Sequence, residues 1–323
     1  MGLKKSIHIL IAVLISLLLS CKNGKTVTNK NQQNDLTDLK IKGKVKHIVY
    51  SRSQDVKEYY NENGNLINEE IYQDSQLLER NVYNYDKRQK KTEHEHYGAN
   101  GIKQSIEVYI YDRSGNKIKD SLYNIITRTN LINTYKHDKF GNVIEEYNYS
   151  EEGKLEAKYI RKFDVNRNMI EESRFYISTR NFSKAIFKYD EDGHIIENCN
   201  YNRDGLLEIK FIYIYDNDGN KIEFGSYNSD GSMNAKEIYK YDDNDHVIEE
   251  STFTPDGILV SKRTYKRDNN GNDIEENTFK SANSLSTKWI RKYVYDSMGN
   301  WVKITEIKDG TIADILERKI TYY

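Results

Sequence analysis

The sequence predicts an all-β protein: a long antiparallel β-meander of tandem 26-residue hairpin repeats, curled or wound into a superhelical sheet. Three observations predict it. An aspartate recurs at Asp86, Asp112, Asp138, Asp164, Asp190, Asp216, Asp242, Asp268 and Asp296, with seven gaps of 26 residues and a last gap of 28. Glycine follows three residues later in most units, and a second glycine falls at Gly101, Gly153, Gly205, Gly231 and Gly257. Between these turn signals lie runs rich in Tyr, Ile, Phe and Thr, the composition of strands. The 27 tyrosines also argue against disorder, which is poor in aromatics.

The first twenty residues read as an export signal. Lys4 and Lys5 precede an apolar run from Ile7 to Leu19, too short for a spanning helix, which needs about 20 residues, but of signal length. The run ends in Leu18-Leu19-Ser20-Cys21, which resembles a bacterial lipobox. That resemblance implies cleavage before Cys21 and lipidation of its thiol, and Lys22 in the next position leans towards the outer membrane. Several acyl chains anchor stably, since each buried methylene contributes about 0.8 kcal/mol. Met1-Gly2 also fits a myristoylation pattern, but a cytosolic acyl site directly before an export signal makes poor sense. Residues 21–38 are polar and read as a flexible tether, leaving 39–323 as the repeat domain.

Taking each anchor aspartate as position 0, tyrosine dominates −1 and −3, asparagine +4, an aliphatic +6 and an aromatic +11. Asp-x-x-Gly supplies a type I turn closed by a left-handed glycine. Each repeat is thus one hairpin, and nine repeats with degenerate ends give about 20 strands. If position −2 faces +6, odd positions share one face and even positions the other. The odd face then carries the tyrosines and the +11 aromatics as one ladder turned inward. Around the second turn, +8 would face +20, pairing Glu146 with Lys158, Glu172 with Lys184, Glu250 with Lys262 and Glu276 with Lys288. Segments 43–50 and 299–323 read as terminal caps of the array.

The run Tyr213-Ile214-Tyr215-Asp216-Asn217-Asp218-Gly219-Asn220-Lys221-Ile222-Glu223 resembles the YD repeat of Rhs and teneurin-type proteins. The resemblance covers nearly the whole mature chain and implies a β-sheet wound into a shell or spiral. With the lipobox, the chain is similar to small, lipid-anchored members of that family.

Chemistry-bearing constellations are few. Asp216-Asn217-Asp218-Gly219-Asn220 looks like part of a calcium loop, but the twelfth position is Tyr227 rather than a bidentate glutamate. Adjacent pairs such as Glu171-Glu172 point to opposite sides of a strand, so they do not form a catalytic dyad. His94 and His96 share a face, and Cys199 reads as a small strand residue. The expectation is no catalytic residue, no metal and no cofactor: a non-enzymatic protein. Near-neutral charge, with 49 basic and 50 acidic residues, argues against nucleic acid. The expected role is a cell-envelope lipoprotein, lipid-anchored to the outer membrane, acting as a binding or structural scaffold for a protein or polysaccharide. Tyr213, Tyr215, Tyr239 and Tyr241 are the candidate ligand surface, since flat aromatics offer contact area at low entropic cost. The alternative is an Rhs-like shell or an immunity-type partner of a toxin.

Overall fold

The computed structural model describes residues 34–51, 54–280 and 284–323. Cys21, the export signal and most of the expected tether lie outside them. A short helix, α1 (Asp35–Asp38), precedes the strands. They are β1 (Val45–Ser51), β2 (Asp55–Tyr60), β3 (Leu66–Gln73), β4 (Gln76–Tyr85), β5 (Lys91–Gly98), β6 (Lys103–Tyr111), β7 (Lys117–Asn124), β8 (Thr129–His137), β9 (Val143–Tyr149), β10 (Leu155–Phe163) and β11 (Met169–Tyr176). The second half holds β12 (Asn181–Tyr189), β13 (Ile195–Tyr201), β14 (Leu207–Tyr215), β15 (Lys221–Asn228), β16 (Met233–Tyr241), β17 (Val247–Phe253), β18 (Leu259–Arg267), β19 (Asp273–Lys280), β20 (Ser284–Tyr295), β21 (Trp301–Lys308) and β22 (Thr311–Tyr322).

Each strand pairs antiparallel with the next, and β1 pairs with β22 as well as β2. The fold is a closed 22-stranded barrel. This corrects the expected open or superhelical meander. It equally corrects the expected YD-repeat solenoid and lipoprotein fold, because the strands make one ring in place of a stack of repeats with two ends. The segments expected to cap those ends pair with each other, with Ile48 opposite Ile320 and Tyr50 opposite Arg318. Physically, closure satisfies the two rows of backbone donors and acceptors that an open sheet of this length would leave bare.

The seam carries the apolar core of the described residues. Leu36, Ile41, Val45, Ile48 and Tyr60 are buried together, with Tyr50, Leu66, Ile320 and Tyr322 packed against them. Backbone and side-chain hydrogen bonds hold residues 34–44 across the join. Leu36 N–H donates to the Gly64 carbonyl (3.2 Å), and the Asp35 carboxylate accepts from Leu66 N–H (2.6 Å). On the other side, the Asn300 amide bonds both the N–H and the carbonyl of Lys42, each at 2.8 Å. The first and last strands are thereby clasped by one segment.

The hairpin register differs from expectation by one residue. Lys162 at −2 faces Glu171 at +7, because Phe163 pairs with Met169 and the ladder shifts between them. A β-bulge absorbs the aliphatic at +6, and a second shift follows the other turn, as between Leu155 and Ala157. Each bulge exchanges odd for even faces. Most repeats carry both shifts, while the β7–β8 and β11–β12 hairpins turn without the second; in either case one face collects −1, −3, −5, +8 and +10, and the other −2, −4, +7, +9 and +11. The expected tyrosine ladder with +11 is therefore corrected: the +11 aromatics lie on the opposite side from Tyr −1 and Tyr −3.

Interior and exterior side chains alternate along a barrel strand. On the tyrosine face Arg161 and Glu172 are only 19% and 9% exposed, whereas neighbouring Lys162 on the other face is 62% exposed. The tyrosine face is the crowded, concave one and lines the lumen. Among the described residues, no second layer fills it. Strands pack substantially only against their hydrogen-bonded neighbours, and the side chains buried almost completely, Tyr60, Ile48 and Val45, all belong to the seam. Strand spacing and tilt give a wall-to-wall backbone distance of about 45 Å.

Candidate functional site

The lumen wall brings the most deeply covered polar and aromatic side chains of the repeats together. Its tyrosines are fixed at the turn end of the long strands. The Tyr111 hydroxyl donates to the Lys91 carbonyl (2.8 Å), Tyr189 to Met169 (2.8 Å), Tyr215 to Ile195 (3.0 Å) and Tyr241 to Lys221 (2.8 Å). Each reaches the +5 carbonyl of the preceding repeat, beside the bulge, where a regular ladder partner is displaced. Buried carbonyls need such a partner.

A chain of polar side chains runs around the ring below these tyrosines. The Asn81 amide donates to Glu69 (2.9 Å), and its oxygen contacts His94 Nε2 (3.0 Å) and His96 Nδ1 (3.2 Å). Asp120, 5% exposed, accepts from Asn133 and Tyr135, each at 2.7 Å, and pairs with Lys117. Arg161 bridges Glu146 and Glu172 at 3.0 Å each, and Glu172 also holds Arg174. Further round, Phe224 stacks on Phe211, with Tyr213 tilted against it. Arg291 repeats the bridging role between Glu276 and Glu306. The lumen is thus lined by pre-paired charges and anchored phenols.

Desolvation sets the chemistry of these groups. Burial pushes the phenols of Tyr83, Tyr159 and Tyr265 up to about 12, and those of Tyr135 and Tyr239 higher still. They are neutral hydrogen-bond donors at neutral pH, not phenolate nucleophiles. Burial also lowers the pKa of His94, favouring the neutral ring. Among the described residues, no group of three or more His, Cys, Asp or Glu side chains is arranged to hold a metal.

The sequence-derived candidates fall as follows. Tyr213 and Tyr215 stand on β14, and Tyr239 and Tyr241 on β16, all on the lumen face. Tyr239 donates to Glu237, and Tyr239 and Tyr241 border a cavity of about 560 Å³ lined also by Asp216, Asn220 and Asp242. The calcium-like loop is a turn motif: Asp216 Oδ1 accepts from the N–H of Asp218 (3.0 Å) and of Asn220 (2.8 Å). His94 and His96 share Asn81. Cys199 is buried on the outer face, where desolvation raises the pKa of its thiol.

The Glu–Lys pairs expected at +8 and +20 are corrected by the register. Glu146, Glu172, Glu250 and Glu276 face the lumen, where Arg161, Arg263 and Arg291 meet them. The lysines pair with the glutamates at +7 instead: Lys184 with Glu171 (2.9 Å), Lys210 with Glu197 (2.7 Å) and Lys288 with Glu275 (3.3 Å). A second lysine at −2 flanks the same glutamates, as Lys162 with Glu171 (3.0 Å) and Lys188 with Glu197 (2.7 Å). The outer wall thus carries Lys–Glu–Lys rungs at mid-strand. The carboxylates of the lumen network were visible in sequence as a recurrent Glu at +8, but a register one residue out placed them with the wrong partners.

No protein-family model matches the chain, and no curated protein matches its sequence. Among solved structures, TcdB2-TccC3 without its hypervariable C-terminal region aligns with 83% of this chain at 12% identity and a TM-score of 0.32; the chain spans 16% of that protein's length. The Photorhabdus luminescens Tc holotoxin pore aligns with 81% of this chain and 19% of its own, at 11% identity and a TM-score of 0.27. A porin-like protein from Bacteroides uniformis aligns with 86% of this chain and 98% of its own, at 11% identity and a TM-score of 0.30. At these values neither kind of protein defines what this chain does.

Proposed function

We propose that this barrel is a non-catalytic, water-surrounded shell at the cell envelope whose lumen encloses a segment of polypeptide. The observation that carries this is the closed ring with a polar, tyrosine-lined wall and, among the described residues, no apolar core filling it. A closed barrel of this size suits an envelope protein, and lipidation at Cys21 would hold it there. The outer wall favours water over lipid. Lys136, Lys162, Lys188, Lys240 and Lys266 are 61–68% exposed along it, and each such charge costs about 2–4 kcal/mol at a bilayer midplane. Imaging of the full chain tests the shell, with a ring around a low-density centre expected; a filled particle refutes it. The Cys21→Ser variant tests the outer wall: it should stay in the aqueous phase with vesicles, and stable insertion would overturn the proposal.

A second reading, a recognition module for an envelope protein or polysaccharide, is favoured by the cavity between Tyr239, Tyr241 and the Asp216 turn. Tyr239→Ala and Tyr241→Ala would then weaken binding on a glycan array or in a pull-down while leaving the ring intact.

A further inference from the structure

The two rims of the barrel differ in the residue that follows each turn glycine. At the rim where β1 starts and β22 ends this residue is usually Asn, folded back on its own turn, as Asn116 on Asp112 (3.1 Å) and Asn142 on Asp138 (2.9 Å). At the opposite rim it is often aliphatic and bare. Ile102, Leu206 and Ile258 follow Gly101, Gly205 and Gly257 and are 62%, 63% and 59% exposed. Ile126 and Ile177, in two other turns of that rim, are 68% and 48% exposed, and Ile312, at the start of β22 just past the turn at Asp309-Gly310, is 60% exposed. These side chains are not on loose loops. The Ile102, Leu206 and Ile258 carbonyls close their turns by accepting from Gly98, Asn202 and Thr254 N–H at 2.9–3.1 Å. A rigid crown of aliphatic tips therefore stands on one end of a hollow ring.

We propose that this crown is the contact between two copies of the chain, meeting rim to rim so that their lumens join into one continuous channel. The proposal rests on the shell reading and names the neighbour of one of its rims. Six apolar residues, each about half to two-thirds exposed, offer apolar contact at intervals around the rim, where a stable interface buries roughly 800 Å² per partner. A ring of this bore is matched best by another of the same bore, and a two-fold contact needs a self-complementary surface. The rim carries both signs of charge for such a match: Arg128, Arg180 and Arg203 share it with Glu151, Glu152 and Asp230. A lipid surface fits less well, because those acids would be pressed against anionic headgroups.

The test uses the full chain carrying Cys21→Ser, by sedimentation equilibrium. Twice the chain mass is expected. Combining Ile126→Asp, Leu206→Asp and Ile258→Asp should halve that mass, while Val165→Asp, at a 95% exposed site on the other rim, should not. If the triple variant misfolds by circular dichroism, Leu206→Cys and Ile258→Cys with a short bis-maleimide replace it. Covalent dimers are then expected from these and not from Val165→Cys. A monomer that still images as a hollow ring overturns the dimer and spares the shell. Crown-dependent flotation with phosphatidylglycerol vesicles also overturns the dimer, in favour of lipid. A particle without a hollow centre overturns the shell itself.

Discussion

The Tyr215 hydroxyl donates to the Ile195 carbonyl at 3.0 Å, and the same bond recurs one repeat later between Tyr241 and Lys221 at 2.8 Å. Tyr215→Phe removes only this donor and leaves a half-buried carbonyl short of a partner. A loss of about 1 kcal/mol is expected, read as a fall in the urea midpoint. The pair Tyr189→Phe and Tyr241→Phe should lose about twice that, because the sites are far enough apart to act independently.

The seam should open first. Asn300 is 4% exposed and holds Lys42 twice and the Tyr322 hydroxyl once, each at 2.8 Å. Asn300→Ala is expected to cost about 2–3 kcal/mol. Hydrogen exchange should accelerate in β1 and β22 more than in strands opposite them, such as β11 and β12. Uniform acceleration around the ring would mean that the clasp is not what closes it.

Acid stability should depend on the outer rungs. The Asn277 amide, with Lys266 and Lys288 on either side, holds the Glu275 carboxyl down to about 2, against an ordinary 4.5. Its folded pKa is depressed, so its contribution is fully present above 4.5 and is lost as pH falls towards 2. Glu275→Gln should therefore flatten the fall of the urea midpoint across that window. At neutral pH the lysines of the rung are substantially exposed, Lys266 at 68% and Lys288 at 40%, and its loss should cost only about 0.2–1 kcal/mol.

Two glycines separate backbone strain from rim packing. Gly141 and Gly153 both have positive φ, at 87° and 73°. A Cβ on Gly141 would lie 3.0 Å from Asn116 Oδ1, whereas one on Gly153 would meet nothing within 4 Å. Both Ala variants should lose about 1 kcal/mol to the left-handed backbone. Gly141→Ala should lose more in thermal melting, since its neighbour in the adjoining repeat must also move.

Local chemistry was legible in the sequence where one residue decides it: Gly115, Gly219 and Gly271 mark turns because the backbone there is left-handed. Register was not. It depends on whether Ile170 takes a ladder place or bulges out, and its hydrophobicity is the same in both cases. That single residue moved Glu172 from an outer rung with Lys184 to the lumen with Arg161. Closure was illegible for a different reason. It rests on Ile48 meeting Ile320 across nearly the whole chain, and on Asp35 and Lys42, in or beside a segment whose polarity reads as tether. The four candidate tyrosines were recognisable as a set on the inward face, but which residues share that face with them follows only from the register shifts.

Because one repeat contributes two strands, the circumference is a countable quantity. Each copy gained or lost would change it by about 10 Å without disturbing face parity. A duplication or deletion of a whole unit would therefore retune the bore in discrete steps while leaving the clasp at the seam untouched. The size of what such a ring can surround is, in this sense, inherited as a copy number.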